Sequence, residues 1–480
     1  MAKETTRKPP NMTLGKAVIC IVALVVVLFL GFAVFALDTK VVFLLAIAVI
    51  GILLGIYGFS MKQMMDWFVE GCKGSIEIIL ILLSVGAVIG SWIISGVVPT
   101  IIYYGLTFLT PSAFMITGFL LCCIVSFCVG SSYSTLATLG VAFMGIGAGL
   151  GINPGLTGGM VLSGAMFGDK MSPFSDTTNL APAVSGTTLF KHINSMLYTT
   201  VPAFAITAIL YIILGARVDT SGAELALADE MMASITANFT INPILLIIPV
   251  LTIVLAVLKL PPVIAMLAGS FGAVILGFIL QSGHSDPIAI LNSLGVGYFN
   301  ESGVPEIDRL LNRGGMISMM DVIAWTLQCL GMGEMLKQSG VINAFLSRLL
   351  AGVKKPRGLV LGTLGFSLVT ACLTASQYLA IILPGMMMKD KYTEMKVSKR
   401  VLSRTLEDGG TMFSFLIPWD TAGIYTSSVL GIATLTYAPY AFLLILCPII
   451  ATIYACTGLF IFKDEGEDDE TPVPATAAAE

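Results

Sequence analysis

The stretch Gly168-Asp-Lys-Met-Ser-Pro-Phe-Ser-Asp-Thr-Thr-Asn179 ends a long run without charge. The 91 residues from Ile78 to Gly168 contain no Asp, Glu, Lys, Arg or His, and then Asp169, Lys170 and Asp176 arrive together on a segment interrupted by Pro173. Ionisable groups at membrane depth cost about 2.5–3.5 kcal/mol each on insertion scales, so they persist chiefly where they line an ion or substrate path. The segment therefore reads as a contact with a transported ion, and the uncharged run before it as several membrane crossings.

The totals carry the same signature outward. Of 480 residues, 56% are hydrophobic and 11% charged, with a mean hydropathy of +0.94, against about 25% charged residues in an ordinary soluble domain. Runs of about 20 apolar residues suit a hydrocarbon core of about 30 Å, and the alternation of an outer-membrane barrel is absent, so the expected class is all-α and polytopic. No basic groove with interleaved aromatics points to nucleic acid. The nine cysteines sit mostly in apolar runs, as Cys122, Cys123 and Cys128 do, without the spacing a zinc site needs.

Along the chain, residues 1–77 read as a helical hairpin, Ala17–Leu37 and Val41–Phe59, followed by an amphipathic interfacial segment from Ser60 to Glu77. Lys3, Arg7, Lys8 and Lys16 put the N-terminus in the cytoplasm, and the first apolar run is longer than a signal-peptide core, so it is expected to be retained. Residues 78–216 form a first transport repeat, 217–316 a linker with two spans and polar loops, 317–462 a second repeat, and 463–480 a disordered acidic tail. Gly145, Gly147, Gly149 and Gly151 lack the spacing of a nucleotide loop and read as close helix packing.

The repeat rests on punctuation. A shift of 244 sets Ser95-Gly-Val on Ser339-Gly-Val, Gly118 on Gly362, Gly130 on Thr374 and Ser132 on Ser376, and a shift of 245 sets Pro173 on Pro418 and Gly186 on Gly431. Interrupted hydrophobic segments at corresponding places in two halves point to a transporter's midplane site. Here they are Gly130–Thr135 and Asp169–Asn179, then Thr374–Gln377 and Ile417–Thr421. Gly358–Met388 has 31 uncharged residues between basic flanks, which fits either a segment that dips in and returns or one helix broken at Thr374–Gln377.

Asp420 is the sole charge in the 54 residues from Gly409 to Phe462 and follows Pro418-Trp419, where the helical ladder cannot continue. Freed carbonyls beside a carboxylate make a plausible sodium site, because hard cations prefer oxygen ligands; a helix-capping Asp at the interface is the bland alternative. Asp169 and Asp176 stand seven apart, with Thr177, Thr178 and Asn179 adjacent, and Lys170 reads as the internal partner of Asp169. Glu407 and Asp408 are a candidate proton gate, or else a solvated loop end. Asp321 and Glu334 are the other acids near membrane depth, and His192 and His284 read as loop residues.

Gly140–Gly151, Gly168–Gly186, Leu189-Phe-Lys-His192, Met196-Leu-Tyr-Thr-Thr200, Leu406-Glu-Asp408 and Ile417-Pro-Trp419 resemble the NhaC family of sodium/proton antiporters. The resemblance implies the ion transporter superfamily, with two inverted repeats and re-entrant hairpins meeting at the centre, and it includes relatives that exchange malate and sodium for lactate and protons. The chain departs from the family where Asp420 stands in place of an Asn, and where Gly130-Ser-Ser-Tyr-Ser-Thr135 replaces Gly-Thr-Ser-Trp-Gly-Thr.

The expectation is a secondary transporter, not an enzyme, exchanging sodium for protons across a bacterial inner membrane by alternating access. The ion-binding set is Asp169, Asp176, Thr177, Thr178, Asn179, Ser132, Thr374, Ser376, Asp420 and Thr421, with sodium held at Asp176, Asn179 and Asp420. No cofactor is expected beyond the transported sodium and protons; the lipid bilayer is the surrounding partner, and a homodimer is among the assemblies allowed. A sodium-coupled organic-acid exchanger is the alternative. It would need a fixed cation, which Lys170 and Arg404 could supply.

Overall fold

A bilayer offers no water to satisfy backbone N–H and C=O groups, so apolar runs in such a chain close their hydrogen bonds internally as helices. The computed structural model describes residues 12–35, 37–74, 76–218, 222–300, 308, 311–351 and 354–464, and these are predominantly helical. The one extended pairing among them is an isolated bridge between Val397 and Lys463. Among the described residues, six helices are long and apolar enough to span a membrane, or up to nine if each of three bent pairs is one span. The chain is an all-α polytopic membrane protein. The basic residues Lys3, Arg7 and Lys8, Asp219 of the linker loop and the acidic tail from residue 465 lie outside the described residues.

The opening hairpin forms as Leu14–Phe29, continuing into a π-turn at Leu30–Val34, and Thr39–Ile56, with Asp38 capping the second helix through the Lys40 N–H at 2.9 Å. The amphipathic segment becomes the helix Met61–Lys73, started by a Ser60/Gln63 capping box. It docks on the helix Met320–Gln338, where Gly71 meets the Leu330 carbonyl and Gly331 meets the Phe68 ring. No Cβ would fit at either glycine, so one face of this helix is packed on protein rather than lying on the bilayer surface.

Two helical hairpins form the centre. Pro111–Val129 ends at Gly130 and restarts after Ser131, and Pro356–Thr374 ends at Ala375 and restarts after Ser376. The arms of the second hairpin return alongside each other, and those of the first diverge around the helix Pro154–Met171. Phe114 and Phe143 rings lie 5.9 Å apart across the first hairpin, and the Thr363 and Tyr392 hydroxyls lie 3.1 Å apart across the second. Of the two readings left open for Gly358–Met388, the structure shows the segment that turns back on itself.

The turns are the same device used twice. Gly130 and Ala375 both adopt the left-handed conformation, with φ of 72° and 51°, and Ser131 and Ser376 follow as extended N-caps whose side chains accept from Ser134 N and Leu379 N. This puts the hairpins in a 245-residue register, so Ser131 and not Ser132 corresponds to Ser376. The sequence match at 244 slips here because apolar helix residues score alike one position out of step, whereas a cap and a left-handed residue do not.

The same register carries through the crossings that follow. Pro154–Met171 breaks at Pro173, restarts after the N-cap Ser175 and ends as Asp176–Ser185 at left-handed Gly186. Lys399–Leu406 passes through a π-turn at Glu407–Thr411 and Met412–Ser414, breaks at Pro418, restarts after the N-cap Asp420 and ends as Thr421–Leu430 at left-handed Gly431. The first crossing is seated on its hairpin by Gly164 and Gly168. These face the Phe119 carbonyl and Cys122 Cβ, and the Cys123 carbonyl and Ser126 Cβ, in the small-residue packing membrane helices use.

Candidate functional site

Four chain breaks converge: the two hairpin tips and the two proline breaks. Each tip rests on the break of its own repeat. Gly130 packs on the backbone of Phe174, where a Cβ would come within 2.8 Å, and the Ala375 carbonyl accepts from Thr421 N at 3.1 Å. Tyr133 ties the halves together. Its ring lies 4.5 Å from Tyr425, its carbonyl accepts from the Tyr425 hydroxyl at 2.7 Å, and its own hydroxyl stands 3.5 Å from Gln377 Oε1.

Asp169 sits in the last turn of its helix, 6% exposed, and accepts a 2.6 Å hydrogen bond from Ser132 of the first tip. Thr178 donates to the carbonyls of Asp169 and Lys170, at 3.2 and 3.1 Å, at the end of the helix where the regular backbone ladder stops. Ser175 stands beside Asp169 and is 3.3 Å from the Thr177 hydroxyl. Ser132 is thus brought to the Asp169 carboxylate and Thr178 to its carbonyl, with Thr177 next in line beyond Ser175. Asp176 and Asn179 are exposed, and Asn179 spends its amide on the carbonyls of Pro173 and Ser175 at 2.9 and 2.7 Å.

Asp420 is fully buried. It is a helix cap, accepting from Ala422 N at 3.0 Å, but it lies in the interior rather than at the interface, and its second oxygen has no hydrogen-bond partner. Thr421 is 3.5 Å from the capping oxygen, and Ser414 stands beside the carboxylate. In the 245 register Asp169 corresponds to Ser414 and Ser175 to Asp420, so each repeat sets one carboxylate beside one hydroxyl with the two residue types exchanged. Thr374 bonds back to the Thr370 carbonyl, and Ser376 serves as the tip cap.

Three sequence expectations change. Lys170 pairs with Asp408 rather than Asp169, at 2.7 Å with both side chains fully buried, and Thr199 adds a 3.1 Å bond to the same oxygen. Glu407 and Asp408 are interior residues of a π-turn rather than a solvated loop end. His192 is buried in the helix Leu189–Ala216, with Nδ1 2.7 Å from the Ser403 hydroxyl, and is not a loop residue. Of the remaining acids, Glu334 pairs with Lys337 at 2.9 Å and Asp321 with Lys40 at 2.9 Å.

Around the breaks the buried carboxylates are Asp169, Glu407, Asp408 and Asp420, and the buried cations are Lys170 and Arg404. Arg404 donates to the Phe460 carbonyl at 3.1 Å and leaves Nε and Nη1 without partners. Among the described residues around the breaks there are therefore two more buried carboxylates than buried cations, a surplus that an apolar interior cannot hold ionised and uncompensated. Among the described residues, no three of His, Cys, Asp and Glu gather as metal ligands, so a cation here would be held mainly by hydroxyls and carbonyls around single carboxylates. Sequence reasoning places Ser175 among the hydroxyls converging on Asp169 and passes over Tyr133 and Tyr425; the register pairs Tyr133 with Tyr378 but Tyr425 with Leu180, so it offers no signal for Tyr425.

A helical membrane protein with paired broken crossings around a buried, net-negative centre belongs to the class of ion-handling transport proteins. The Na+/H+ antiporter family profile matches residues 164–459, and the chain belongs to that family. It is 39% identical over 397 residues to the Na+/H+ antiporter NhaC of Alkalihalophilus pseudofirmus, covering 83% of this chain and 85% of the relative. It is 36% identical over 447 residues to a malate-2H+/Na+-lactate antiporter of Bacillus subtilis, covering 93% and 95%. It is 33% identical over 468 residues to the arginine/ornithine antiporter ArcD of Halobacterium salinarum, covering 97% and 96%.

Proposed function

We propose that the protein exchanges sodium for protons across the bacterial inner membrane, with its N-terminus in the cytoplasm, and that access to the centre alternates between the two faces. The observation that carries this reading is the surplus of buried carboxylates over buried cations. An interior with two uncompensated negative charges must take up cations, and a proton or a sodium ion can each neutralise a carboxylate, but not the same one at once. Competition of this kind is the physical basis of exchange.

Asp169 with Ser132, Ser175 and Thr178, and Asp420 with Ser414 and Thr421, are the central cation ligands in this reading. The half-helix Thr421–Leu430 starts at Asp420, and Asp176–Ser185 starts after Ser175, which stands beside Asp169, so both N-terminal ends face the centre. Proteoliposomes carrying an imposed pH gradient test the function. Added sodium dissipates the gradient with wild-type protein, and Asp169→Asn abolishes the response. Asp176→Asn, at an exposed position, retains it. Wild-type rates with Asp169→Asn would remove Asp169 from the site.

A second reading, organic-acid exchange coupled to sodium, is favoured by the two unpartnered nitrogens of buried Arg404, a fixed cation suited to a carboxylate substrate. In the same assay it predicts that sodium moves protons only when malate or lactate is present.

A further inference from the structure

Among the described residues, Glu407 is the carboxylate with both oxygens buried and unpartnered. Its side chain is fully buried and neither carboxylate oxygen has a hydrogen-bond partner, although the hydroxyls of Thr411 and Thr177 stand beside it. Thr411 is itself fully buried with an unpartnered hydroxyl. The neighbouring Asp408 is spent on Lys170 and Thr199, so the two adjacent acids have different tasks.

The backbone is arranged around this group. Glu407–Thr411 is a π-turn, which displaces the helical ladder and recurs at functional positions. Gly409 and Gly410 press it against both arms of the second hairpin, at Ser367 and at the Ala380 carbonyl. Thr177 also reaches Ser175 at 3.3 Å, and Ser175 stands beside Asp169. Side-chain oxygens thus lie in order from Asp169 past Ser175 and Thr177 to Glu407 and Thr411, with Ser175 and Thr177 3.3 Å apart.

We propose that Glu407, Thr411 and Thr177 form a second monovalent-cation site, joined to the Asp169 site through the Ser175–Thr177 hydroxyl pair. A fully buried carboxylate with no hydrogen-bond partner on either oxygen, beside the unpartnered Thr411 hydroxyl and the Thr177 hydroxyl, offers the oxygen ligands a hard monovalent cation prefers. In the 245 register Glu407 and Asp408 correspond to Leu162 and Ser163, so the carboxylate of this site has no counterpart in the first repeat, which supplies only Thr177. The proposal rests on the exchange reading for its role in transport, but not for its existence.

Binding of radioactive sodium to purified protein in detergent, at alkaline pH, tests it. Wild-type protein takes up two sodium ions per chain at saturation, and Glu407→Gln takes up one. Thr411→Val keeps the first class of site and weakens the second about tenfold, the loss expected for one ligand to a charged group. One ion in the wild type, or unchanged number and affinity in both variants, overturns the proposal. If Glu407→Gln does not fold, as judged by gel filtration, Thr411→Val decides alone. A wild type that binds two ions, loses one in Glu407→Gln, yet moves no protons with sodium would sustain the site and sink the exchange reading. A wild type that exchanges while Glu407→Gln still binds two would do the reverse.

Discussion

At the scale of single residues, Asp420 does two jobs that chemistry can separate. One oxygen caps the helix Thr421–Leu430 through Ala422 N, and the other is buried without a partner. Asn caps helices about as well as Asp, so Asp420→Asn keeps the first job and removes the charge, whereas Asp420→Ala loses both and costs about 0.5–2 kcal/mol for the cap alone. If the charge takes part in transport, Asp420→Asn melts like wild type but shows a flatter dependence of apparent sodium affinity on pH, because one group over which sodium and protons compete is gone. Measuring that affinity between roughly pH 6 and 9 in both proteins decides it. Superimposable curves would leave Asp420 as a cap only. The isolation of Asp420 as the sole charge in a 54-residue stretch made it legible in the sequence. Its burial was not legible, since an interfacial cap and an interior one have the same neighbours along the chain.

At the scale of elements, proline breaks, glycine caps and uncharged lengths were readable because each is a local constraint on the backbone. The partners of Lys170 were not, because Asp408 lies 238 positions away and nothing in the spacing distinguishes it from nearby Asp169. The hairpin tips make an element-scale comparison possible. Gly130 and Ala375 hold the same left-handed turn, but only the first is glycine. Left-handed backbone costs a residue with a Cβ about 1–2 kcal/mol, and at Gly130 that Cβ would also meet the Phe174 backbone at 2.8 Å. Gly130→Ala should therefore lower the melting temperature clearly. Ala375→Gly relieves the strain while adding about 0.5–1 kcal/mol of chain entropy to the unfolded state, so its stability should stay within about 1 kcal/mol of wild type. Thermal unfolding in detergent checks both. Equal losses would mean that the tips are not equivalent turns.

At the scale of the whole molecule, the 245-residue register relates hairpin to hairpin and half-helix to half-helix, yet the charges do not follow it. Asp169 answers Ser414, Asp420 answers Ser175, and the acidic pair at Glu407 and Asp408 answers Leu162 and Ser163. A duplicated scaffold with unduplicated carboxylates would let either half open to its own side while one centre keeps a single ion inventory, provided that the halves are inverted. Orientation decides between inversion and a parallel repeat. Gly186 packs on Lys389, and the segment holding Lys389 and Lys391 shares the basic character of the flank Lys354, Lys355 and Arg357, which places the Gly186 end on the cytoplasmic side by the positive-inside rule. If the repeats are inverted, the Gly431 end faces outward. Single cysteines at Phe190 and Ala433, in a background without the nine native cysteines, should then react with a membrane-impermeant thiol reagent from opposite faces: Ala433→Cys in intact cells, Phe190→Cys only after the inner face is exposed. Labelling of both from the same side would exclude inversion, and with it the two-sided access on which exchange through one centre depends.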